Sequence, residues 1–184
     1  MKQTIHTVSY EVSQVLANVD EDQAVKAAQS IENAERIFVT GEGRSGLMGK
    51  AFAMRLMHAG YEVYVTGETI TPSIHEGDLL LAISGSGSTG SICQFAEKAK
   101  GQGAVITAVT TNAESRLGEV SDHVLVVQAA TKKRLPEEPE TIQPLGNQFD
   151  QSLHLLLDAV IIYAVNQSKK TNNDEMTNRH ANLE

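Results

Sequence analysis

Apolar side chains at Ile5, Val8, Val12, Val15, Leu16 and Val19 recur at helical spacing, and the start of the chain is therefore predicted to form one amphipathic helix. Asp20 with Gln23 has the form of a capping box and predicts a second helix over Ala24 to Ile31. The period then changes. Short runs rich in Val, Ile and Leu predict five strands: RIFVT (36–40), EVYVT (62–66), LLLAI (79–83), AVITAV (104–109) and HVLVV (123–127). Between them lie helical patterns, Ser45 to Ala59 closed by Gly60 and Ser88 to Lys100 ending at Gly101. Strands that are apolar throughout are buried on both faces, and strands alternating with helices pair in parallel. The predicted fold class is α/β, a three-layer doubly wound five-stranded parallel sheet with helices on both faces.

After the last strand, AATKKRLPEEPETIQPLGN (129–147) carries three prolines and mixed charge. Connections of this length without regular structure are functional or disordered more often than incidental. Phe149, Leu153, Leu156, Leu157, Val160, Ile161 and Ala164 then form the apolar stripe of a closing helix. The polar remainder reads as a frayed or extended helix end with no chemistry of its own. The expected organisation is one domain: N-terminal helices over 1–34, a sheet core over 35–128, a loop over 129–147, and a closing helix with tail over 148–184.

Composition narrows the function classes. At 184 residues, 41% hydrophobic and 21% charged, the chain is long enough for a full core. No apolar run reaches the roughly 18 residues of a membrane span, and the N-terminus lacks a signal peptide's apolar region, so a cytoplasmic protein is expected. A net charge of −8 without a Lys/Arg block opposes nucleic-acid binding. The single cysteine, Cys93, has no intrachain disulfide partner and is expected to be a small core residue. His6, His75, His123 and His180 show no metal-ligand spacing, and no metal is expected.

The chemistry concentrates in two turns of identical glycine spacing. Gly41, Gly43 and Gly46 lie in GEGRSG, and Gly85, Gly87 and Gly90 in GSGSTG. Each follows a predicted strand and opens a predicted helix, a place where glycines let the backbone approach an anion and free N–H groups face it. The first copy, with Glu68 about 20 residues onward, also fits a dinucleotide fold. The second surrounds its glycines with Ser84, Ser86, Ser88 and Thr89, more hydroxyls than a pyrophosphate needs and a match for the three terminal oxygens of a phosphomonoester. The spacing before Gly49-Lys50 fails the Walker A pattern. Plain turns with helix caps are the bland alternative. Two such turns at the C-terminal ends of strands favour a ligand site instead.

The segments GEGRSGLMGKAFAMRLMHAGYEVYVTGETITP, LLLAISGSGSTGSI and QPLGNQFD together resemble the sugar isomerase (SIS) superfamily and, within it, the 6-phospho-3-hexuloisomerases, over about residues 30 to 165. The resemblance implies isomerisation of D-arabino-hex-3-ulose 6-phosphate to D-fructose 6-phosphate in the ribulose monophosphate pathway, in formaldehyde fixation or detoxification, without cofactor or metal, by a homo-oligomer, a tetramer in the family. A carbonyl that moves from C3 to C2 needs a base for the C2 proton and stabilisation of an enediolate. By resemblance the carboxylate is Asp150, in place of the family's usual Glu, and the second catalytic candidate is His58 in RLMHAG. Asp150 also suits a helix N-terminus and His58 a helix C-terminus on electrostatic grounds alone. His58 lies a whole helix away from the phosphate loop and would need a neighbouring subunit. Ser45 is expected to cap its helix and contact substrate, Arg44 to stabilise the enediolate or pair with a carboxylate, and Glu68 to bind substrate hydroxyls. Gly43, Gly85, Gly87, Ser84, Ser86, Ser88 and Thr89 complete the expected phosphate and substrate site. The alternatives from other classes are a non-catalytic phosphosugar-binding regulatory domain and a nicotinamide-dependent oxidoreductase.

Overall fold

The computed structural model describes residues 1–169 and 171–183. Five strands, β1 (Ile37–Gly41), β2 (Val63–Val65), β3 (Leu79–Ile83), β4 (Val105–Thr110) and β5 (His123–Val126), form one sheet in the order β2-β1-β3-β4-β5, parallel throughout. Side-chain alternation sorts the strand residues onto two faces. Ile37, Val39, Leu79, Leu81, Ile83, Val109 and Leu125 face α1 (Lys2–Ala17), α2 (Glu21–Asn33), α3 (Gly43–His58) and α6 (Asn147–Ser168). Phe38, Leu80, Ala82, Ile106 and Ala108 face α4 (Gly90–Gly101) and α5 (Arg116–Val120). This is the expected three-layer arrangement, with strand bounds shifted by a residue or two. No described helix is long and apolar enough to cross a membrane.

The chain runs from β1 outward to β2 and returns to β3 on the other side of β1. The strand order therefore reverses between β1 and β3, and a crevice opens beyond their C-terminal ends. Gly41 at the end of β1 is in register with Ile83 at the end of β3. The two glycine turns that follow these residues are thereby side by side.

Several local expectations are corrected. The Asp20 side chain accepts from the Gln23 amide at 3.0 Å and α2 opens at Glu21, but Gln23 does not close the box: its Oε1 accepts from the Val126 amide at 2.9 Å and ties α2 to β5. Helix α5, missed because it is one turn long, is capped by Ser115, whose Oγ accepts from the Gly118 amide. The C-terminal tail is not a frayed helix end. It folds back as α7 (Asn173–Asn178), Met176 packs against the core, and Arg179 donates to the His58 carbonyl at 3.0 Å.

The 129–147 connection has no regular element, yet it is fastened along its length. The Ala130 amide donates to Gln148 Oε1 at 2.7 Å, and the Thr131 amide and hydroxyl donate to the Glu138 carboxylate at 2.9 and 2.5 Å. Glu11 of α1 accepts from the Thr141 hydroxyl, the Ile142 amide at 2.9 Å and Gln143 Nε2 at 2.9 Å. Gln143 Oε1 in turn accepts from Asn147 at the first position of α6. A carboxylate 130 residues away in sequence thus positions the approach to α6.

Burial pushes the Glu11 carboxyl up, but the hydrogen bonds from Thr141, Gln143 and Ile142, with the nearby Arg134 charge, outweigh it and hold the carboxyl below its ordinary range. A depressed carboxyl contributes stability above its unfolded pKa and loses it as pH falls through the folded value. Hydrogen exchange at the Ile142 amide, after correction for intrinsic rates, should therefore lose protection in acid. Glu11→Ala should remove that protection at neutral pH as well; an unchanged Ile142 rate in Glu11→Ala would contradict the clasp.

Candidate active site

The first turn is built by close backbone approach. A Cβ on Gly46 would stand 2.5 Å from the Gly41 carbonyl oxygen, so only glycine lets the start of α3 press onto the end of β1. Gly43, at φ +57°, opens the helix after extended Glu42. Arg44 and Ser45 follow within the first helical turn. Ser45 therefore does not cap α3, as the sequence led us to expect; the cap position is Glu42, whose carboxylate accepts a short hydrogen bond from Ser91 of α4 and links the two turns.

The Ser45 hydroxyl reaches instead to Asp150 Oδ1 at 3.0 Å, and Arg44 Nε to Asp150 Oδ2 at 2.9 Å. Asp150, 7% exposed, lies in the opening turn of α6, where a carboxylate is favoured by the unpaired amides. Each carboxylate oxygen holds one of these bonds, which fixes the plane of the group. Arg44 takes the carboxylate-pairing role of the two foreseen for it.

The second turn is pulled down onto β4. The Gly85 carbonyl accepts from the Thr111 amide at 3.0 Å, the Thr111 hydroxyl at 2.8 Å and the Thr110 hydroxyl at 3.3 Å. The Gly87 amide donates to the Ser84 carbonyl at 2.9 Å and the Gly87 carbonyl accepts from the Leu117 amide at 2.9 Å. Cys93, fully buried, points its sulfur at the same Gly87 carbonyl, 3.7 Å away, and burial pushes its thiol up, as suits a core residue. The four hydroxyls divide into two pairs. Ser84, buried, is bonded to Thr89 at 2.9 Å, and Ser88 donates its hydroxyl to Ser86 at 3.2 Å.

These pieces enclose a cavity of about 380 Å³, within the size range of small-molecule sites. Residues 42–45 form one wall, and Gly85, Ser86 and Thr89 the second. Thr131 and Lys132 beyond β5 close it, and the start of α6 brings Leu145, Gly146, Phe149 and Asp150. Of the predicted residues, Gly43, Arg44, Ser45, Gly85, Ser86, Thr89 and Asp150 meet here. Ser84 lies behind the wall and orients Thr89; Ser88 is exposed and orients Ser86; Gly87, at φ +60°, shapes the turn.

Two predicted residues lie elsewhere. Glu68 is half exposed and paired with Lys50 at 3.4 Å. His58 ends α3, about 22 Å along the helix axis from its start at 1.5 Å rise per residue. Its ring is 4% exposed and stacks on His180, with centroids 5.2 Å apart. Burial, then the neighbouring His180 and Arg55, hold the His58 imidazole below its ordinary pKa. Within one chain His58 does not reach the cavity. Glu42, Thr131 and Lys132 were not foreseen; Thr131 and Lys132 follow the fifth strand at the same end of the sheet as the glycine turns, which is the signal that would have found them.

A larger cavity of about 730 Å³, against Phe38, Leu80, Phe95 and Ile74, presents a mostly apolar surface and holds neither glycine turn nor Asp150.

A SIS domain model matches residues 30–144. A 3-hexulose-6-phosphate isomerase from Bacillus subtilis (strain 168) is 40% identical over 168 residues, 91% of this chain and 90% of that one. A protein of the same name from Mycobacterium gastri is 42% identical over 174 residues, 95% and 86% of the two chains. A Methanococcus jannaschii crystal structure, from which a molecular function of 3-hexulose-6-phosphate isomerase was inferred, superposes with a TM-score of 0.83 at 33% identity, covering 99% of both chains. The chain belongs to the SIS domain family and, within it, to the 3-hexulose-6-phosphate isomerases, and it is an isomerase.

A Cβ on Gly87 would stand 1.9 Å from Ser115 Oγ and 2.9 Å from Thr110 Oγ1, in a backbone conformation that L side chains rarely adopt. Gly87→Ala should lower unfolding free energy by about 1–3 kcal/mol or more, read from chemical denaturation followed by circular dichroism. Stability equal to that of the unaltered chain would show that the turn is not held as described.

Proposed function

We propose that the chain converts D-arabino-hex-3-ulose 6-phosphate to D-fructose 6-phosphate through an enediolate. The observation that carries the proposal is the meeting, in one cavity, of a hydroxyl-lined glycine turn and a carboxylate of fixed orientation. Ser86 and Thr89 receive the phosphate with the amides at the start of α4, where the helix dipole favours an anion. Gly85 lets the sugar approach the backbone.

With the phosphate there, Asp150 removes the proton from C2. The C2–H electrons form the C2=C3 bond of the enediolate while the C3 carbonyl oxygen takes up charge. The same carboxyl returns the proton to C3 as the C2 hydroxyl passes its own proton to the C3 oxygen, which becomes the hydroxyl while C2 becomes the carbonyl. Arg44 and Ser45 hold the carboxylate in place on the cavity wall. Asp is one methylene shorter than Glu, and an error of about 1 Å at a reacting group costs about 10²-fold, so the clamp from α3 serves the reach of the shorter side chain. A 3-ketose phosphorylated at O6 cannot close a five-membered ring, and the forward reaction needs no ring opening.

The proposal includes a homo-oligomer, a tetramer as in the family, because His58 takes part only where a neighbouring subunit brings the end of its α3 to this cavity. It also places the protein in the cytoplasm, in the ribulose monophosphate route of formaldehyde fixation or detoxification.

Hex-3-ulose 6-phosphate supplied with a coupled assay for fructose 6-phosphate, without added metal, should give turnover. Asp150→Asn should lower kcat by about 10²–10⁴-fold with KM little changed. Ser86→Ala should raise KM by about tenfold with a smaller effect on kcat, the cost of one hydrogen bond to a charged group. Full turnover by Asp150→Asn would remove Asp150 as the base, and no turnover of hex-3-ulose 6-phosphate by the unaltered chain would overturn the substrate proposed here.

A further inference from the structure

We infer that Lys132 is the counter-charge of the phosphate subsite and sets its preference for a dianion over a neutral group; the inference rests on the phosphosugar reading above. Ser86 and Thr89 supply hydrogen bonds but no charge, and hydroxyls accept as readily as they donate. A phosphomonoester carries about −1.5 to −2 charges at neutral pH. The ionisable side chains on the cavity wall are Glu42, Arg44, Lys132 and Asp150, whose formal charges cancel. Arg44 is committed to Asp150 at 2.9 Å. Glu42 adds a negative charge at the rim, bonded to Ser91 beside the second turn. Among the described residues Lys132 makes neither an ion pair nor a side-chain hydrogen bond, so it is the wall's uncommitted cation. Without it the wall carries a net negative charge, in a chain already at −8.

The backbone places this lysine firmly. Ala130, fully buried, donates its amide to Gln148 in the first turn of α6 at 2.7 Å. Thr131, 5% exposed, donates amide and hydroxyl to Glu138, and its hydroxyl oxygen accepts from the Lys133 amide at 3.1 Å. Lys132 therefore leaves a pinned peptide on the cavity wall. Its ammonium group, on a stem exposed to water, acts as a point charge that meets an incoming anion without a rigid fork. Lys133, next in sequence and also exposed, does not line the cavity and gives a matched control.

The test measures calorimetric binding of inorganic phosphate and of fructose 6-phosphate, at low ionic strength and pH 7.5, to the unaltered protein and to Lys132→Gln, Lys132→Arg and Lys133→Gln. Lys132→Gln should weaken both ligands by about tenfold, the size of one charge-assisted contact, with Lys132→Arg restoring most of the loss and Lys133→Gln binding as the unaltered protein does. In the isomerase assay Lys132→Gln should raise KM with kcat within about threefold, because ground and transition states carry the same phosphate. Equal phosphate affinity in Lys132→Gln and Lys133→Gln would overturn the inference, as would an unaltered protein that binds no phosphate. Phosphate binding lost with Lys132 in a protein that does not turn over hex-3-ulose 6-phosphate would leave the inference standing and defeat the proposed substrate, so the two failures are separable.

Discussion

The Asp150 carboxylate is the point on which the site depends. It joins α6, which arrives after the long connection from β5, to the first turn of α3, which leaves β1, through one bond to Arg44 and one to Ser45. The pair is largely out of solvent on the carboxylate side and half exposed on the guanidinium side. Removal of one partner from such a pair leaves a poorly solvated charge, a larger cost than the pair's net contribution. The arrangement is therefore better understood as an orienting device than as a source of stability. Its placement follows from the topology. The reversal of strand order brings the ends of β1 and β3 into register at Gly41 and Ile83, and α6 then has one crevice into which to point its N-terminus.

Much of this was legible in the sequence. The apolar runs at Ile37, Leu79 and Val105 announced strands buried on both faces, and the two glycine turns announced where they end. What was less legible came from side chains that bond far along the chain. Gln23 looks like half of a capping box but is drawn to the Val126 amide on β5, and Glu11 looks like a polar position on an amphipathic helix but organises residues 141–143. Ser45 has the composition of a helix cap, yet Gly43 at positive φ starts the helix earlier and turns the hydroxyl toward Asp150. The tail gave no periodic signal, because a six-residue helix carries too few positions to show one.

The hydroxyl-rich turn answers a local requirement and a ligand requirement together. Ser84 and Thr89 satisfy one another while the Gly85 carbonyl is held by Thr110 and Thr111, so the backbone keeps its shape without help from a ligand. Ser86 and Thr89 remain on the cavity wall to donate outward. A site preorganised in this way loses little conformational entropy on binding, so, on the proposed reading, more of the contact energy is left for orientation of the sugar carbons toward the carboxylate.

The most direct test of this account is a crystal structure of the protein with fructose 6-phosphate bound. The phosphate is expected between Ser86, Thr89 and the start of α4, with C2 and C3 of the sugar within hydrogen-bond reach of Asp150. A phosphate seated elsewhere, in the apolar cavity beside Phe38 for instance, or a sugar whose C2 and C3 face away from Asp150, would contradict it.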